Sequence, residues 1–117
     1  MTISIKQIVD AAYHAAEAKK ARDITVLNIS EISTLCDYFI ICSGGSTPQV
    51  KAIAEHIEEK LAEQHVNPLR REGIREGDWV LLDYGDIVVH IFKDEERDFY
   101  NLERLWGDAK VVDIPIQ

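Results

Sequence analysis

A chain of 117 residues with 46% hydrophobic side chains is long enough to bury one core and too apolar to be disordered. Its net charge of −8 sets most of the surface against a phosphate backbone, which argues against independent nucleic-acid binding and favours a basic partner. No apolar run reaches the ~20 residues of a membrane span, and the first residues lack the basic-then-apolar order of a secretion signal. A single cytoplasmic domain over residues 1–117, with no membrane contact, is expected.

Ser4 to Gln7 is a capping-box pattern and opens a helix with Ile5, Ile8, Val9, Ala12 and Ala16 on one face. Lys19, Lys20 and Arg22 close it, where the helix dipole prefers cations. Asp23 to Ile29 reads as a strand with Ile24 and Val26 on one side. Ser30 to Cys36 is a connector. Tyr38 to Cys42 is a continuous apolar run, as in a strand covered on both faces. Ser43-Gly44-Gly45-Ser46-Thr47-Pro48 turns into a second helix, with Ser46 or Thr47 as N-cap and Val50, Ile53, Ala54, Ile57 and Leu61 on one face. Residues 69–78 read as a loop or irregular edge.

Trp79 to Phe92 reads as a hairpin. Gly85-Asp86 suits a two-residue turn, which pairs Asp83 with Val88, Leu82 with Val89, Leu81 with His90, Val80 with Ile91 and Trp79 with Phe92. Val80, Leu82, Tyr84, Ile87, Val89 and Ile91 then share a core face. Trp79, Leu81, Asp83, Val88, His90 and Phe92 share the other, a mixture expected to make poor core and a recognition surface. Asp94 is placed to cap a third helix over residues 95–106, ended by Gly107. Lys110 to Ile114 gives a last strand. The order α-β-β-α-β-β-α-β predicts an α/β fold: a mixed sheet of about five strands with helices packed on it.

The cysteines Cys36 and Cys42 read as small buried thiols, and the four histidines show no metal-ligand spacing. No cofactor, metal or catalytic residue is expected. The strand–Gly44-Gly45–helix turn has a rival reading, a nucleotide-binding or nucleotidyltransferase-type enzyme using the helix N-terminus. It lacks the P-loop lysine and the Asp-x-Asp that would hold Mg²⁺. In the third helix Phe99, Leu102 and Trp106 follow core spacing. Arg97, Tyr100, Glu103 and Arg104 lie around another side, in acidic surroundings that suit a docking patch.

Three segments together carry a resemblance. They are the hairpin from Trp79 through Asp83, Gly85-Asp86 and His90; the run Arg97-x-Phe-Tyr100-x-Leu102-Glu103-x-Leu-Trp106; and the upstream Asp37-Tyr-Phe-Ile-Ile-Cys-Ser43-Gly44-x-Ser46. The chain closely resembles the ribosomal silencing factor (Iojap-like) family from about Asp23 to Ile114. The resemblance implies a nucleotidyltransferase-like fold without the catalytic carboxylates, and a non-enzymatic role. Such proteins bind the large ribosomal subunit through its fourteenth protein and block joining of the small subunit when nutrients are scarce. It maps partner-facing positions onto Trp79, Tyr100 and Glu103; the mixed face adds Asp83, His90 and Arg97. Family members often pair, so a homodimer is expected in the free protein.

Overall fold

The computed structural model describes residues 4–34, 36–95 and 110–112. In chain order these form α1 (Ile5–Ala18), β1 (Arg22–Asn28), β2 (Tyr38–Gly44), α2 (Thr47–Ala62), β3 (Arg70–Glu72), β4 (Trp79–Asp83), β5 (Ile87–Lys93) and β6 (Lys110–Val111). The strands make one sheet in the order β3-β4-β5-β2-β1-β6. The pair β2–β5 is parallel and the other pairs are antiparallel. The α/β class and the mixed sheet agree with the sequence. The sheet has six strands rather than about five, because β3 forms where a loop or irregular edge was expected. Its three residues are all exposed, so they show no hydrophobic alternation to read.

Local chemistry explains the helix ends. Ser4 caps α1, accepting from the Gln7 N–H, while Gln7 Oε1 accepts from the Ser4 N–H, as the capping box requires. The helix stops at Ala18, and Lys20 takes φ +61, so Arg22 begins β1 instead of closing the helix. Ser46 caps α2, with Pro48 in the first turn. β2 runs on through Gly44, where a Cβ would lie 3.1 Å from a Val50 methyl and 3.2 Å from the Val50 amide nitrogen. Glycine there lets α2 start directly against the end of β2.

Both described helices contribute to one core. Val9, Ala12, Ala15 and Ala16 of α1, and Val50, Ile53, Ala54, Ile57 and Leu61 of α2, join Val26, Ile40, Cys42, Val80, Leu82, Ile87, Val89 and Ile91 of the sheet. This is the core face predicted for the hairpin, and both helix faces are as the apolar spacing required. The hairpin register is also as predicted, from Trp79↔Phe92 to Asp83↔Val88. Gly85 turns the chain at φ +90, a conformation nearly closed to other residues. The third helix expected over residues 95–106 lies almost wholly outside the described residues; of it, Glu95 is described and helical, as is Asp94 before it.

Candidate docking face

The opposite face of the sheet corrects one expectation. It is not poor core: Leu27, Ile29, Cys36, Phe39, Ile41 and Phe92 form a second buried cluster. The hairpin alone suggested a polar, aromatic surface. The registers Phe39↔Val88, Ile41↔His90 and Leu27↔Phe39 bring apolar side chains of β1 and β2 onto the same face. The parallel partner of a strand is not legible in sequence, so this contribution was invisible. Trp79 and Val88 pack against the cluster but remain half-buried.

Three of the six predicted partner residues are described: Trp79, Asp83 and His90. The structure joins two of them. The Trp79 Nε1–H donates to His90 Nδ1 over 3.1 Å. The indole stacks on Phe92, centroids 5.0 Å apart and planes 26° from parallel. Phe39 meets the imidazole edge-to-face at 4.8 Å and 78°. His90 is only 5% exposed, which removes it from the surface and places it beneath Trp79. Burial pulls its pKa down to about 4, so at neutral pH the ring is uncharged. Because Nδ1 accepts, the proton sits on Nε2, which is buried without a partner.

Asp83 stands apart from this pair. Four residues along β4, at ~3.3 Å per residue, put it roughly 13 Å from Trp79. One oxygen accepts from the Gly85 N–H at 2.8 Å, which braces the turn, and the other lies 3.7 Å from Arg70 of β3. Arg97, Tyr100 and Glu103 lie outside the described residues. Sequence reasoning missed Phe39 and Arg70 as neighbours of the site. Phe92 was recoverable, since the turn fixed it opposite Trp79.

The turn that invited a nucleotide-binding reading spends its donors internally. The Gly45 N–H donates to Gln49 Oε1 at 2.7 Å and the Gln49 N–H to Ser46 Oγ at 3.3 Å. Among the described residues no group of three or more His, Cys, Asp or Glu side chains is arranged to hold a metal ion. Cys36 and Cys42 are buried and are not joined in a disulfide. Burial, reinforced by Asp37, Asp83 and Asp86, raises the Cys36 thiol to about 11, far from a reactive thiolate. No described helix is long and apolar enough to cross a membrane.

The family described as "Ribosomal silencing factor during starvation" matches residues 2–117. The chain belongs to this family. A ribosomal silencing factor of Bacillus subtilis is 46% identical over 109 residues, covering 93% of this chain and 92% of its own length. One from Halalkalibacterium halodurans is 43% identical, covering 96% of each. A crystal structure of a Chromobacterium violaceum protein superposes with a TM-score of 0.87 at 40% identity, over 90% of this chain and 88% of the other. The α/β arrangement around the β4–β5 hairpin is therefore that of an experimentally determined relative. Chloroplast Iojap of Arabidopsis thaliana is 36% identical over 84% of this chain, which spans 41% of that longer protein.

Proposed function

We propose that this silencing factor represses translation without chemistry. It docks on the large ribosomal subunit through that subunit's fourteenth protein and denies the surface to the small subunit, lowering translation under nutrient limitation. The observation that carries the reading is the Trp79 indole: a half-buried aromatic, backed by Phe92 and held by His90, on a member of a family named for silencing ribosomes. Large aromatics with a fixed orientation are what binding anchors require. An interface of ordinary size, ~800 Å² per partner, suffices for steric exclusion. The acidic charge of −8 suits a basic ribosomal protein and sets the surface against bare nucleic acid.

Within this reading Trp79, Tyr100 and Glu103 contact the partner, with Asp83 and Arg97 at the rim. His90 supports from beneath. The free protein pairs through the same aromatic region until a ribosome competes for it. It works in the cytoplasm and needs neither cofactor nor metal.

The test is co-sedimentation with purified large subunits, together with a subunit-joining assay on sucrose gradients. Trp79→Ala and Tyr100→Ala are each expected to abolish co-sedimentation and restore joining. Glu103→Lys should slow association with the isolated fourteenth protein, more at low salt than at high. Glu59→Lys, on the exposed side of α2, should not. Equal rates for the two charge reversals would move the interface away from Glu103. Mg²⁺-dependent nucleotide transfer that is lost in Asp83→Ala would overturn the non-enzymatic reading. Light scattering that finds only monomer at high concentration would remove the homodimer.

A further inference from the structure

We infer that His90 is a positioning residue for docking: its Nδ1 lone pair captures the Trp79 indole N–H and fixes the one orientation in which the indole meets a partner. The inference rests on Trp79 being an anchor, as proposed above.

Stacking on Phe92 fixes the plane of the indole but not its direction, because a ring can turn over in its plane's slot and keep the same stacked area. The hydrogen bond removes that freedom, since only one direction brings Nε1 to 3.1 Å from His90. His90 is itself immobilised. It is 5% exposed, its backbone is paired on both sides, opposite Leu81 and Ile41, and Phe39 presses edge-on against its ring. A fixed acceptor beneath a half-buried aromatic lowers the entropy lost when a partner orders that aromatic.

A second observation points the same way. His90 Nε2 is buried without a partner. An unpaired buried N–H is a cost that a phenyl or isobutyl group would avoid in this aromatic cluster. The imidazole gives the cluster one thing a hydrocarbon cannot, the Nδ1 acceptor, and Trp79 uses it.

The experiment uses the full chain labelled with ¹⁵N, with the Trp79 indole resonance assigned by its loss in Trp79→Phe, and affinity measured for purified large subunits. His90→Phe is expected to shift the indole N–H upfield and to weaken binding about tenfold. His90→Asn puts an amide oxygen where Nδ1 was, and should recover most of the shift and the affinity. His90→Gln puts its amide where Nε2 was, and should recover neither. In a Trp79→Phe background, His90→Phe should weaken binding no further. A folded His90→Phe with native affinity overturns the inference. So does His90→Asn behaving like His90→Gln, a comparison that decides the matter even if His90→Phe does not fold. Native binding by Trp79→Ala, by contrast, would sink the docking reading itself and the inference with it.

Discussion

On one face of the sheet, Val80, Leu82, Ile87, Val89 and Ile91 pack with α1 and α2 in a mainly aliphatic contact. On the other, Phe39, Ile41 and Phe92 enclose an imidazole, and an indole lies half-buried at the margin. The hairpin strands contribute to both faces in alternation, β1 and β2 complete the second, and both faces are largely buried. Burial therefore does not separate folding residues from binding residues here. The hydrogen bond between two aromatic side chains is what distinguishes the second face: it satisfies the indole N–H and, under the proposed docking reading, also fixes the direction of the anchor.

The sharpest test of this contrast is a truncation on each face. Leu82→Ala, at a fully buried position on the helix side, should lower unfolding free energy by about 2–5 kcal/mol in a denaturant titration, with the affinity of the folded fraction for large subunits unchanged. If Leu82→Ala weakened binding as much as Trp79→Ala, the two faces would not be functionally distinct.

Acid should act on the opposite face through His90. Unfolded, His90 takes up a proton near pH 6.5; folded, it resists until about pH 4. Between those values the unfolded chain binds more protons, so its share of stability is full above pH 6.5 and is lost as pH falls to 4. The loss is of order 3 kcal/mol, read from denaturation midpoints at successive pH values. His90→Phe should flatten that part of the profile, and an unchanged slope would show that the imidazole is not held neutral by burial.

Trp79→Ala should cost about 2 kcal/mol or more of binding, roughly thirtyfold in affinity, at a smaller cost in stability than Leu82→Ala. Global unfolding by this variant would make Trp79 a core residue first. Two smaller effects calibrate the scale. Ser46→Ala should remove about 1 kcal/mol of stability by uncapping α2, visible as a lowered midpoint with unaltered binding. Arg70→Ala breaks a long pair between the exposed Arg70 and the half-buried Asp83 and should shift stability by no more than about 1 kcal/mol.

Much of this was legible in the sequence where the information is local. The Ser4 capping box, an N-cap of α2 at Ser46 or Thr47, both apolar helix faces and the hairpin register all follow from neighbours within a few positions. Arg22 was misplaced because the end of α1 depends on Lys20 adopting a left-handed backbone, which its side chain does not announce. The edge strand β3 reads in sequence only as a loop or irregular edge because all of its side chains face solvent. The character of the face opposite the helices escapes the sequence for another reason. Trp79 and His90 were correctly put on one face, but what surrounds them comes from β2, whose parallel pairing with β5 is decided by the whole fold.

That parallel pairing bears on how the protein comes to exist. β5 meets β4 across a two-residue turn, so the hairpin, with Trp79 and His90 side by side, can close within microseconds. β5 meets β2 only across the long stretch of chain that carries α2 and β3, and such non-local pairing is slow. Between these events a nascent chain carries an aromatic hairpin with the edge of β5 uncovered, a template for a wrong strand. Substitutions that speed the closure of α2 onto β2, around Ser46 and Val50, should therefore raise the yield of soluble protein on refolding, whereas substitutions in the Gly85 turn should chiefly alter the fast phase. Stopped-flow refolding with parallel light-scattering would separate the two.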